Sequence, residues 1–292
     1  MSSTQLIKLF DPWRSKLCTC PVKYSFDPYT GCAHRCLYCY ASSYIRDFYN
    51  CRPKKNLLKI IRRDLEKLPE NTIISMSNSS DPYPWMEREL KLTRRCLEEF
   101  MKSNLRILVV TKSDLVVRDI DLLKELRVAV TISITTIDDW LAKKIEPLAP
   151  APSKRLKALS KLSEEGVNTG LRLDPIIPFI NDDNYRELLI EARNCGVKHV
   201  VSSLFKPRYD SWTRVVSSFP EIEDSLRKIY FLEGERIGRS WYASRELRFR
   251  TMKKVSEECK RLGLGFATCR EGFEELHTSQ TCDGSHLIRK TI

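Results

Sequence analysis

Three cysteines, Cys32, Cys36 and Cys39, stand in the stretch from Gly31 to Tyr40, spaced four and then three residues apart. Three thiolates so close in one loop suit three corners of a four-iron, four-sulfur cluster, which takes cysteine sulfur as its ligand. The fourth iron is then open to a small molecule. Gly31 keeps a side chain away from the inorganic sulfides. Zinc is the rival ligand, but structural zinc sites take two pairs of ligands in a tetrahedron, and only Cys36 and Cys39 have the pair spacing. A second group, Cys18, Cys20, Cys269 and Cys282, could bind an auxiliary cluster or zinc if the tail folds back to the start of the chain. His277 and His286 are alternate ligands there, and independent thiols are the plainer reading. Cys51, Cys96, Cys195 and Cys259 read as buried thiols on or near helices.

The elements that must position this loop follow a repeating pattern. A short extended stretch, Val22 to Phe26, delivers the chain to it. Leu57, Leu58, Ile61, Leu65 and Leu68 then recur at amphipathic-helix spacing. Strands are predicted at Thr72–Met76, Leu105–Thr111, Val128–Thr135, Thr169–Ile176 and Lys198–Ser203. Helices are predicted between them at Leu90–Lys102, Asp119–Leu126, Ser153–Glu165 and Asp182–Cys195, the last two closed by Gly166 and Gly196. Apolar strands alternating with helices argue for parallel βαβ units. Past Phe205 the alternation is expected to stop, with helices around Glu221–Glu233 and Ser244–Leu262. The organisation is therefore an N-terminal segment (1–23), a barrel-like unit (24–205) and an extension across its mouth (206–292).

The loop, CxxxCxxC with Tyr38 before the last cysteine, resembles the cluster loop of the radical S-adenosylmethionine (SAM) superfamily. Further stretches are similar to its spore photoproduct lyase-like (DNA repair photolyase-like) branch. They are Phe26 to Cys32, Ser79 to Tyr83, Thr111 to Ser113, Glu146 to Pro150 and Pro175 to Pro178, in family order. The resemblance implies an α/β fold, a partial (β/α)6 barrel with a C-terminal, mostly helical extension. It implies a [4Fe-4S] cluster on Cys32, Cys36 and Cys39, whose open iron chelates SAM. Reductive cleavage of SAM would then yield a radical that abstracts hydrogen from the substrate. An electron donor such as ferredoxin or flavodoxin is implied as partner.

By the same resemblance Tyr38 lies against the adenine, and Ser79, Ser80 and Asp81 hold the SAM ammonium. Lys112 offers a charge to the methionine carboxylate, and Ser133 reaches the ribose, with Arg172 and Asp174 following the same logic. Barrel sites lie at the carboxyl ends of strands, where these residues fall. Glu146, Pro147 and Arg155 look like a family signature without a derivable role. Spore photoproduct lyases carry a cysteine just before the Ser-Asp pair, which returns a hydrogen atom to the product radical. Asn78 and Ser79 stand here instead, poor hydrogen-atom donors, so dimer reversal by that route is not expected. Tyr40 is a candidate relay; a core tyrosine is the plainer reading.

Net charge is +12, from 50 Lys+Arg against 38 Asp+Glu. Such an excess favours a polyanionic partner. A basic-aromatic stretch, Lys206 to Arg214 and Arg236 to Arg261 with Trp212, Trp241 and Phe249, could meet phosphates and bases; its aromatics could equally face the barrel. Nucleic acid is thus the expected substrate class. The alternatives are radical modification of a peptide, protein or small metabolite, and a non-catalytic, metal-stabilised nucleic-acid binding module. No apolar run approaches a membrane span and the start lacks a signal-peptide core, so a cytoplasmic protein without membrane contact is expected.

Overall fold

The computed structural model describes residues 5–10 and 15–289. Eight strands form one sheet in the order β1-β2-β5-β6-β7-β8-β9-β12. They are β1 (Lys8–Leu9), β2 (Tyr24–Phe26), β5 (Ile73–Met76), β6 (Arg106–Thr111), β7 (Val128–Ser133), β8 (Asn168–Ile176), β9 (His199–Leu204) and β12 (Gly265–Thr268). The remaining strands form two small ladders, β3 (Tyr29–Thr30) with β4 (Arg52–Pro53), and β10 (Glu235–Ile237) with β11 (Ser240–Tyr242). From β2 onward every sheet pairing is parallel, and β1 is antiparallel on the edge. Each parallel strand lies beside its successor, so the winding never reverses. A doubly wound sheet reverses at its switch point; one that does not curls toward a barrel, here a partial one.

Burial explains the strand sequences. Every residue of β7 and β9 is buried. Strands covered on both faces usually read as unbroken apolar runs, yet Thr131, Ser133, Ser202 and Ser203 interrupt these two while buried. Ser133 and Ser203 line an internal cavity with Thr131. The crossover helices include Leu57–Leu65, Leu92–Phe100, Ile120–Glu125, Pro152–Glu164 and Tyr185–Asn194. Gly166 and Gly196 (φ +79° and +80°) end the last two, as expected for the left-handed position after a helix. A further helix, Asp139–Ile145, leads directly into Glu146.

The segment after Phe205 departs from expectation. Alternation resumes there: the helix Arg245–Arg261 leads to β12, which extends the sheet in parallel with β9. The helix expected around 221–233 is instead three short turns of different pitch, Pro220–Ile222, Glu223–Arg227 and Lys228–Leu232. The tail then passes back against the sheet, where Ile288 and Leu287 pack on Leu108 and Ala129. A Cβ on Gly284 (φ +83°) would come within 3.1 Å of His199, so the tail fits there as glycine. Among the described residues no helix is long and apolar enough to cross a membrane.

Candidate metal centre and ligand cavity

The Gly31–Tyr40 loop is held in shape by backbone pairing. Cys32 N donates to Phe48 O (2.8 Å), Leu37 N to Ile145 O (2.9 Å), and Leu148 N to His34 O (3.1 Å). Gly31 (φ +79°) is required here for a reason other than the one its sequence context suggests. A Cβ would lie 2.3 Å from Phe48 O, so the glycine makes room for a backbone carbonyl, not for sulfides. Arg214, on the helix Tyr209–Ser218, donates to Leu37 O (3.0 Å) and Cys39 O (2.6 Å) from above.

Cys32, Cys36 and Cys39 line one cavity of 480 Å³. Burial pushes the Cys32 thiol well up, and Asp81, Cys36 and Cys39 add to the rise. Burial likewise pushes Cys36 up to about 12, with Glu146 beside it. Burial raises Cys39 too, opposed by the backbone N–H groups of Ala41 and Ser42 and by the Lys112 and Arg214 charges. The backbone N–H of His34 opposes the rise at Cys32 in the same way. The thiolate form that ligates metal is favoured here by added positive charge. A cluster supplies that charge, and N–H···S bonds are a usual means of tuning one. The donor set therefore fits an iron–sulfur group.

Behind the loop lies the contact that gives Glu146 and Arg155 a role. Glu146 Oε2 is 2.5 Å from Arg155 Nη1, with neither side chain exposed beyond 1%. Tyr38 OH donates to Glu146 Oε1, and Thr135 Oγ1 does so at 3.0 Å. Lys112 Nζ lies 3.7 Å from the same oxygen. Burial alone would raise the Glu146 carboxyl; Arg155 and Lys112 instead hold it at about 2. Arg155 also donates to Pro150 O (2.6 Å) and Ser133 O (3.0 Å), tying the strand β7 to this hub. Sequence spacing could not reveal it, since Tyr38 and Glu146 are 108 residues apart.

The strand ends bring the remaining expected residues to the same cavity: Tyr38, Tyr40, Ser79, Ser80, Asp81, Lys112, Ser133, Arg172 and Asp174 all line it. Their free capacity differs from expectation. Asp81 accepts from Tyr83 N (2.9 Å), Thr111 Oγ1 (2.7 Å) and Lys112 N (2.7 Å), and His34 Nε2 lies 3.1 Å away. Burial would raise its carboxyl, but His34 and these donors hold it low. With its oxygens so engaged, Asp81 is a strut joining two strand ends to the cysteine loop. Ser80 Oγ is likewise turned to Asp27 (3.0 Å). Arg172 is paired with Asp174, which also accepts from Ser203 Oγ (2.6 Å). Tyr40 is half-buried, with Arg208 and Arg270 at 5.5 and 5.6 Å from its ring centre.

The aromatics of the basic-aromatic stretch turn largely inward, while most of its cations, among them Arg245, Arg250, Lys253, Lys254, Lys260 and Arg261, are exposed. Lys206 pairs with Glu271 (2.7 Å) and Arg248 with Glu271 (3.1 Å) and Glu235 (2.7 Å). Trp212 packs at a tilt on Phe231 (ring centres 4.5 Å apart), and Phe231 meets Trp241 (5.0 Å) and Phe249 meets Phe273 (5.2 Å) edge to face. Tyr209, Arg236 and Arg239 are exposed. Cys18, Cys20, Cys269 and Cys282 line the cavity as well, whereas His277 and His286 are bonded to Thr268 and Thr281 (2.8 Å each). Cys51, Cys96 and Cys259 are buried and Cys195 is half-buried.

Residues 26–192 match the family model described as Radical SAM superfamily. A protein of Methanocaldococcus jannaschii is 36% identical over 168 residues, 56% of this chain and 64% of its own length. A protein of Acidianus two-tailed virus is 29% identical over 200 residues, 61% of this chain and 65% of its own. The chain thus spans just under two thirds of these relatives. The Radical SAM Nalpha-GlyT isomerase of Pseudomonas phage M6 is 24% identical over 192 residues, 64% of this chain and 40% of its own. In fold, a spore photoproduct lyase variant matches with TM-score 0.71 at 18% identity, covering 92% of this chain and 80% of that one. Another, with bound AdoMet and dinucleoside spore photoproduct, matches at 0.68 and 18% identity, covering 91% and 80%.

Proposed function

Because the chain belongs to the radical SAM superfamily, we propose that Cys32, Cys36 and Cys39 hold a [4Fe-4S] cluster and that SAM binds beside it. The substrate we propose is a nucleic-acid base. The observation that carries the reading is the gathering of three thiols, that of Cys36 buried and those of Cys32 and Cys39 half-buried, in one cavity with Lys112, Arg172 and Asp174. When bound, cluster and SAM would supply one-electron cleavage of the sulfonium and a hydrogen-abstracting carbon radical.

The chain's own residues bind, orient and exclude water. Glu146 fixes the Tyr38 ring through its hydroxyl and holds Lys112 at the cavity wall. Ser79, Lys112 and Ser133 remain the polar groups turned to a SAM-sized ligand, with the Arg172–Asp174 pair opposite. Asp81 and Ser80 act on that ligand through the backbone they position. Tyr40, whose ring lies by Arg208 and Arg270, is the phenol we propose as hydrogen-atom relay. A reduced ferredoxin or flavodoxin is the electron donor we propose, in a cytoplasmic setting.

The net charge of +12, the exposed Arg236 and Arg239, and the fold shared with a lyase holding a dinucleoside photoproduct support a nucleic-acid substrate. A second reading, modification of a peptide, protein or small metabolite, is favoured by the internal pairing of Lys206 and Arg248. Salt separates the two, since phosphate contacts weaken linearly in log affinity with log salt. Retention on single-stranded DNA or RNA that falls steeply with added salt is expected; no retention at low salt points to the second reading. For the reaction itself, anaerobic protein with dithionite and SAM should release 5′-deoxyadenosine. Release no greater than from the Cys32→Ala variant would leave a binding module and remove the enzyme.

A further inference from the structure

We propose that Cys18, Cys20, Cys269 and Cys282 form a second thiolate-bound metal centre, zinc or iron–sulfur, in the wall of the cavity that the first cysteine loop lines. Four thiols from three distant parts of the chain meet there. Cys18 and Cys20 come from the segment before β2, Cys269 from the residue after β12, and Cys282 from the returning tail. Cys20 and Cys282 sulfurs are 3.4 Å apart although 262 residues separate them. Cys18 and Cys269 line the same cavity as that pair. For comparison, a tetrahedron with zinc–sulfur bonds of about 2.3 Å has sulfur–sulfur edges of roughly 3.8 Å.

Two cations stand by these sulfurs. Lys23 Nζ is 3.7 Å from Cys20 and Arg172 Nη2 is 3.2 Å from Cys269. Cationic neighbours favour the thiolate, which is the form that ligates metal. A packed cluster of inert thiols would place apolar groups there instead. Among the described residues no three His, Cys, Asp or Glu side chains already converge on a single ion.

The inference is independent of the activity proposed above, and its test is run on protein that cannot hold the first cluster. A full-length Cys32→Ala, Cys36→Ala, Cys39→Ala variant is purified without oxygen. It is then loaded separately with zinc, or with ferrous iron and sulfide. Retention of zinc, or of iron with matching sulfide and a broad visible absorption, is expected, and the arm that succeeds identifies the metal. Adding Cys20→Ser and Cys282→Ser should reduce retained metal to background. Retention unchanged by those two substitutions, or absent in both arms, overturns the proposal. A measurement on the wild-type chain guards against variants that fail to fold. The four cysteines should resist alkylation until a chelator is added, whereas half-buried Cys195 labels throughout. Equal labelling before and after chelation, or recovery of Cys20 and Cys282 as a disulfide from reduced anaerobic protein, overturns it as well.

Discussion

At the residue scale, the contacts that engage each polar group decide what it has left to offer a ligand. The spacing of three close cysteines is what suggests the cluster proposed above. Which strand-end groups remain free is set by contacts across tens of residues, as with Asp81 and its donors from Tyr83, Thr111 and Lys112. Glu146 shows the same limit, because a lone Glu-Pro gives no sign of a buried partner. Its carboxyl falls from the ordinary 4.5 to about 2 in the folded protein. A carboxyl lowered by folding contributes stability that is complete above its unfolded value and lost as pH falls toward the folded one. Glu146→Gln should therefore cost about 3 kcal/mol at neutral pH, by leaving Arg155 buried without its counter-charge. The gap from wild type should narrow as pH falls below about 4.5. Urea midpoints of both proteins at pH 7 and pH 3.5 check this; a gap that stays constant or widens in acid contradicts it.

At the element scale, the parallel strands followed from apolar runs alternating with helical periodicity. β12 did not, because Gly265–Thr268 follows the basic helix Arg245–Arg261, in a region read as an extension outside the alternating pattern. The helix Tyr209–Ser218 was hidden differently: its arginine and aromatics read as a phosphate-binding stretch, whereas Arg214 holds the cysteine loop. Losing those two charge-assisted bonds at a partly exposed site should destabilise the fold by about 1–2 kcal/mol. Arg214→Ala is thus expected to keep the fold but release iron to a chelator faster than wild type, measured by the absorbance decay. Gly31→Ala is expected to be more damaging. The left-handed backbone costs an alanine about 1–2 kcal/mol, and the 2.3 Å approach to Phe48 O adds steric strain. Lower iron content together with a lower urea midpoint is the expected pair of readings. A variant matching wild type in both would show that the loop can move away from Phe48.

At the scale of the whole molecule, the segment before β2 and the tail after β12 meet beside the cavity. Charge excess and length gave no indication of this; a pairing between residues 260 positions apart leaves no local signal. Lys23 Nζ and Asp283 Oδ2 meet at 2.5 Å, with side chains 3% and 7% exposed. Removing one partner of such a pair leaves the other charge buried and uncompensated, about 3–5 kcal/mol, while replacing both with apolar groups is often near neutral. Asp283→Asn should accordingly lower the unfolding midpoint sharply. Lys23→Met combined with Asp283→Leu should recover most of the loss, with a coupling energy well above the few tenths seen between independent sites. If the double variant is instead as unstable as the sum of the singles, the pair is not what joins the two segments. The contacts of the tail with the sheet at Leu108, Ala129 and His199 would then carry that closure alone.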